Sequence, residues 1–434
     1  MKEHFIIKIK PNSLATLPAN IPYWENFITD KSVVIEKFEP TLDRLLIQSG
    51  FKFWVTRQYK AHANGWNYEE ILSGFHLTFR IILQEDGTLP DRLIHQIRTL
   101  PFVTYVHPIT IGTTPIPSTS TTFTYADEDA VAKMIYLPYA KAWTKGTKQI
   151  KVAVLDTGID IKHPEFKDQV IQHKDFVNLQ GLDTTSFIGE VTGLHDDSDE
   201  DKVGHGTHVT GIIAAKGLNM SEGIAPGCSI LSCRVLAPMR TGNHIVGAGI
   251  VDNINNGIKW AVDHGADVIN MSLGIKHTGG GLPHEDVVNY AINKNVTIVA
   301  ASGNDGTQEM YYPAALNGVI AVGAVDLTGQ VTSFTSYGAP ITLVAPGYHI
   351  YSSFPDSKYA YLSGTSQASP FVSGSIGLMK SLANEKGIKL SNRQINYILR
   401  NTSDRLTDKV RDIRSGFGLL NLADSFKLLN NMLS

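Results

Sequence analysis

Three short stretches of the chain carry side chains that could together move a proton and form a bond: VAVLDTGID at residues 152–160, GHGTHVTG at 204–211 and GTSQASP at 364–370. Ser366 stands among small residues just ahead of FVSGSIGLMKSLA, whose apolar positions recur at roughly helical spacing, which places the serine at a helix N-terminus. Pro370 is compatible with a helix that begins near Ser366, because the amide that proline lacks has no intrahelical partner in the first turn. A serine there faces unpaired backbone amides and the positive end of the helix dipole. That setting suits a nucleophile, and it equally suits an ordinary cap. A nucleophilic hydroxyl needs a base to take its proton, and a buried carboxylate to hold the imidazole's tautomer and stabilise the imidazolium. His205, opening a second helix of small residues, and Asp156, following the strand-like KVAVL, supply both types, in the chain order Asp, His, Ser.

Each residue also has a plainer account. Asp156 in its Asp-Thr-Gly triplet could be a turn carboxylate, or one of two aspartates sharing a proton; the latter needs a second DTG or DSG after a strand, which the chain lacks. His205 and His208 lie three apart on a helix and could share a metal, yet no third ligand stands at a suitable spacing, so no metal site is assigned and His208 reads as structural. Asn304, in SGND, could be a turn residue.

The elements that must hold these residues follow from the apolar runs. After residue 130, continuous apolar segments such as KVAVL, SILSCRVL, ADVINM, VTIVAA and GVIAVGAV alternate with helical stretches, which is the pattern of an α/β protein with a parallel sheet covered on both faces. The polar punctuation, DTG, SLG and SGNDG, falls after the strands, where open parallel sheets gather their chemistry. Residues 109–130 are rich in Thr, Ser and Pro and read as a linker. Ahead of it, SVVIEKF, PTLDRLLIQSG, FKFWVTR, FHLTFRIILQ, LPDRLIHQIRTL and FVTYVHP give β-α-β-β-α-β over about residues 33–107, a ferredoxin-like α+β pattern with FIIKIK as an extra strand. The expected division is a small domain over 1–110, a linker over 111–129 and a larger α/β domain over 130–434.

Composition bounds the function. The 434 residues are 42% hydrophobic with net charge −3, so a real core is available and no basic excess points to nucleic acid. Two cysteines, Cys228 and Cys233, form neither a disulfide framework nor zinc-ligand spacing, and fit a reducing compartment. The apolar run near the N-terminus is too short for a signal peptide and no membrane-spanning stretch occurs, so a cytoplasmic protein is expected.

From about residue 130 onward the chain resembles the subtilisin-like serine proteases (subtilases), through VAVLDTGID, GHGTHVTGIIA, AASGND and SGTSQASPFVSG in that order. The resemblance implies a doubly wound, mainly parallel sheet with helices on both faces. It implies Asp156 as orienting carboxylate, His205 as general base and then acid, Ser366 as nucleophile, and Asn304 as side-chain donor to the oxyanion. It makes Ser272, Leu273 and Gly274, with Ala301, Ser302 and Gly303, the two edges that hold a protein or peptide substrate in extended form, and it puts Tyr311 where relatives often have glycine in the first specificity pocket, favouring small or medium residues before the scissile bond. Gln367 stands where many members have an oxidisable methionine.

The small domain resembles a subtilase propeptide, implying an intramolecular inhibitor cut away between about residues 108 and 127. The chemistry requires no cofactor. Calcium is left open as a structural ion: members often bind it in the loop after the His helix, but AAKGLNMSEGIAP lacks a clear ligand set. The acidic run Asp196, Asp197, Asp199, Glu200 and Asp201 fails as a calcium loop, having Lys202 at position six and His208 at position twelve, and reads as a solvated acidic loop. The activity implied is a serine endopeptidase made as a zymogen. The alternatives are a non-proteolytic peptide binder, or a dedicated maturation protease for one cytoplasmic precursor peptide.

Overall fold

The structure, a computed structural model, describes residues 3–85, 87–115, 125–177, 201–242, 244–277 and 281–434. Among the described residues, seven strands form the central sheet in the spatial order Ile341–Pro346, Ile320–Val325, Thr297–Ala301, Val268–Met271, Lys151–Asp156, Ser229–Arg234 and Val170–Asp175, and every pairing between them is parallel. The apolar runs are continuous because both faces are covered. Val152 and Val154 belong to one core with the helices His205–Ala214 and Thr365–Glu385, whereas Ala153 and Leu155 belong to the opposite core with Val251–Asp263 and Glu285–Asn293. A pleated strand sends alternate side chains to opposite faces, so one pentapeptide seeds both layers.

The N-terminal domain is α+β. Its four antiparallel strands lie in the order Phe53–Arg57, Thr78–Leu83, His4–Ile9, Val103–Pro108, with the helices Pro40–Gln48 and Asp91–Arg98 over one face. The β-α-β-β-α-β order is present, but its first strand is His4–Ile9 and not SVVIEKF. FIIKIK occupies an interior position of the sheet because Phe5, Ile7 and Ile9 reach its core, while Val33 and Val34 stand 44% and 43% exposed and form no ladder.

The opposite face of this small sheet mixes the polar His4, Lys8 and Arg80 with the buried Ile6 and Ile82, and sits on the larger domain. His4 Nε2 lies 3.2 Å from Asp252, Lys8 Nζ 2.8 Å from Asp286, and the buried Arg80 reaches Asn253 at 3.1 Å. Part of the stretch read as linker has structure: Ile111–Pro115 is a strand, and Tyr125–Met134 is a helix. Among the described residues no helix is long and apolar enough to cross a membrane.

Candidate active site

Asp156 ends its strand, and His205 is the first residue of its helix, after Gly204 in left-handed backbone (φ 88°). The helix approaches closely: a Cβ on Gly206 would lie 2.1 Å from the Gly158 carbonyl oxygen, so glycine is a condition of the approach. The result is a buried contact of 2.7 Å between His205 Nδ1 and Asp156 Oδ1, which also accepts the Thr157 N–H at 2.8 Å. A carboxylate only accepts, so Nδ1 donates and Nε2 is left as the ring's acceptor. His205 Nε2 is buried and has no hydrogen-bond partner among the described residues. Burial works against the charged ring, but the Asp156 carboxylate, with a smaller push from Asp201, outweighs it and raises the His205 pKa above 6.5.

Ser366 is the second residue of the helix Thr365–Glu385, and Pro370 lies inside that helix, beyond the first turn where the sequence pattern put it. In a regular helix residue 370 donates to the carbonyl of residue 366. Proline cannot, and the Ser272 hydroxyl donates to the Ser366 carbonyl oxygen instead, at 2.8 Å. Ser272 is held by Asn270 Nδ2 at 3.0 Å and lies 2.9 Å from Ser369 Oγ, so the strand end and the helix start are knitted together. Ser366 Oγ donates to the Ser272 carbonyl oxygen at 3.1 Å. Asn304, after the strand Thr297–Ala301, accepts on its Oδ1 from the N–H and the hydroxyl of Thr365, both at 2.9 Å, which leaves the Nδ2 donors as the free end of the amide.

The segments Ser272–Gly274 and Ala301–Gly303 flank these groups. Leu273 is buried in the core, Ser302 Oγ donates to the Ser336 carbonyl oxygen at 3.0 Å, and the Gly303 N–H reaches Thr365 Oγ1 at 3.2 Å. Tyr311 stands between the two edges. Its ring atoms would lie 3.2 Å from a Cβ on Gly274 and 2.4 Å from one on Gly303, and its hydroxyl donates to Asp305. Along the cleft runs the chain's own strand Ile111–Pro115, antiparallel to His244–Ile250, with Thr113 bridged to Gly274. The Thr114 hydroxyl donates to the Ser272 carbonyl oxygen at 2.9 Å, the same acceptor that Ser366 Oγ uses.

The acidic run ahead of His205 is corrected at one position. Asp196, Asp197, Asp199 and Glu200 lie outside the described residues, but Asp201 is 3% exposed and fully bonded within the protein, so it is no part of a solvated loop. His208 has a structural place: Nε2 contacts the carbonyl oxygens of Ile350 and Ala360, both at 3.1 Å, and burial pushes its pKa down to about 3. In the loop after the His helix, the N–H groups of Gly217, Leu218 and Asn219 converge on the buried Glu165 carboxylate at 2.7 to 3.1 Å. Calcium needs inward carbonyl and carboxylate oxygens. Amide hydrogens aimed at a carboxylate are the opposite polarity, so this loop does not fit the ion.

The chain as a whole is similar to known proteins. Residues 147–418 match the subtilase family. The major intracellular serine protease of Bacillus subtilis (strain 168) is 41% identical over 261 residues, 58% of this chain and 75% of that protein. Thermitase of Thermoactinomyces vulgaris is 38% identical, over 59% of this chain and 82% of its own length. Among solved structures, the prenylagaramide maturation protease PagA aligns with a TM-score of 0.55 at 30% identity, over 68% of this chain and 98% of PagA. A family match over more than half of the chain, together with relatives that are serine proteases, identifies this protein as a member of the subtilase family, a subtilisin-type serine endopeptidase.

Proposed function

We propose that the chain hydrolyses peptide bonds through an acyl-enzyme formed on Ser366, with His205 as the proton carrier and Asp156 as its orienting carboxylate. The observation that carries this reading is the buried 2.7 Å contact from His205 Nδ1 to Asp156, with Nε2 left as an acceptor that no described residue engages. Ser366 Oγ, freed from the Ser272 carbonyl, bonds to the scissile carbonyl carbon as its proton passes to His205 Nε2. The carbonyl oxygen becomes an oxyanion, met by the Asn304 Nδ2 donor and the Ser366 N–H in the first helical turn; one such donor is worth about 3 kcal/mol. The C–N bond then breaks, the departing amine takes the proton from His205, and water cleaves the ester by the same route in reverse order. No step needs a cofactor.

The strand Ile111–Pro115 supports a self-inhibited precursor, because it pairs with the cleft as an extended peptide substrate would and shares the Ser272 carbonyl with Ser366. In this reading residues 1–110 hold that strand in place until the chain is cut between about residues 108 and 127. A cytoplasmic location fits the likeness to an intracellular protease. A second reading, dedicated maturation of one precursor peptide, draws on the likeness to PagA and on the side chain of Tyr311 in the cleft.

A fluorophosphonate label separates protease from peptide binder. Wild type should take one equivalent at Ser366 and cleave peptides, while Ser366→Ala and His205→Ala should do neither. A wild type that binds peptides yet never labels, even after limited removal of residues 1–115, would falsify the catalytic reading.

A further inference from the structure

We propose that Asp201 is a positioning residue for the acyl transfer: it ties the strand end that bears Asp156 to the helix start that bears His205, fixing their register toward Ser366. This rests on the triad reading above. Asp201 Oδ1 accepts the Thr157 hydroxyl at 2.8 Å and the N–H groups of Val203 and Gly204 at 3.1 and 2.8 Å, while Oδ2 accepts the N–H and hydroxyl of Thr207 at 2.8 and 2.7 Å. Gly204 precedes the His205 helix and has no side chain with which to cap it; Asp201 performs that capping from three residues further back.

Thr157 is the other half of the link. A hydroxyl has one proton, and here it goes to Asp201, so the Thr157 oxygen is free to accept the Gly206 N–H at 2.9 Å. The Thr157 N–H donates to Asp156 Oδ1 at 2.8 Å. Strand end and helix start are therefore joined twice beside the Asp156–His205 contact, and both joints pass through Thr157. Burial, outweighing the five hydrogen bonds, raises the Asp201 carboxyl above 3.8.

Among the described residues, the ionisable groups that raise the His205 pKa are Asp156, from the strand, and Asp201, from the loop ahead of the helix; His208, one turn on, has its pKa lowered to about 3 and is neutral at working pH. Both carboxylates favour the imidazolium. Removing the charge of Asp201 therefore moves the acid limb of the pH profile to lower pH, even as misalignment lowers the rate.

The test compares kcat and KM across pH for wild type, Asp201→Asn, Thr157→Val and Thr157→Ser, each normalised to the sites that take the serine label. The proposal expects kcat to fall about tenfold or more in Asp201→Asn and Thr157→Val with KM little changed. It expects Thr157→Ser to keep the wild-type rate, and the acid limb to move to lower pH in Asp201→Asn alone. Per-site kcat equal to wild type in Thr157→Val, with loss confined to the number of labelled sites, overturns it and leaves a structural role. If Asp201→Asn yields no folded protein, the two Thr157 variants decide. A wild type that does not label at all sinks the triad reading itself, a result distinct from a labelled wild type with unaffected variants.

Discussion

Tyr311 puts a phenol ring between Gly274 and Gly303, against the two edges that flank Ser366. A peptide lying along those edges finds that space taken, so residues before the scissile bond should be small or medium. Tyr311→Gly removes the ring while leaving the Lys276–Asp305 ion pair at 2.6 Å in place. Its kcat/KM for phenylalanine or tyrosine in that position should rise about 10- to 100-fold relative to alanine, the scale of opening an apolar pocket. A library profile unchanged from wild type would contradict this account of the cleft. At this scale the sequence was legible in the pairing of Asp156 with His205, whose types name an acid–base chemistry and which the fold brings to 2.7 Å; Asn304 stood out only through the family resemblance. The sequence misled on Asp201, which stands at the end of the mostly acidic run DDSDED and reads there as solvated, whereas its burial follows from contacts with Thr157 and Thr207 that are made only in the fold. For Gln367 the resemblance marks the change from methionine but not its setting, a buried side chain whose two amide atoms have no hydrogen-bond partner among the described residues.

The loop after the His helix is organised around Glu165, which belongs to the 3-10 turn Pro164–Phe166 some fifty residues earlier. Three amides and the Tyr359 hydroxyl, at 3.0 Å, satisfy its carboxylate. A chelator should therefore leave the melting temperature unchanged at this loop. Glu165→Ala should cost about 1 to 3 kcal/mol, because three amides and a hydroxyl lose the charged acceptor that gathers them. A chelator-induced fall in melting temperature that Glu165→Ala abolishes would show instead that this carboxylate holds a cation. The larger sheet was legible where its strands are buried on both faces and read as apolar runs, and not at its edge, where Val170–Asp175 has the polar sequence VIQHKD and stands half exposed. The first strand of the small sheet was misplaced because SVVIEKF and FIIKIK look alike in isolation. What separates them is tertiary: FIIKIK pairs on both sides, with Thr78–Leu83 and Val103–Pro108, and only such pairing makes a strand interior.

For the whole molecule, the docked face of the small domain and the strand leading out of it act together. His4, Lys8 and Arg80 dock that domain on the helices Val251–Asp263 and Glu285–Asn293, and the same docking delivers Ile111–Pro115 to the cleft. Composition marks residues 109–130 as a linker, and composition cannot report a segment bound through its backbone, since those hydrogen bonds are blind to side-chain type. The most direct test of the account is intact mass, followed over time, of purified wild type and Ser366→Ala. The account predicts that wild type shortens by cleavage between about residues 108 and 127, then takes a serine label, while Ser366→Ala stays full length. A wild type that labels and cleaves peptides at full length would contradict the inhibitory role given to residues 1–115, and shortening of Ser366→Ala at the same rate would contradict self-cleavage by Ser366.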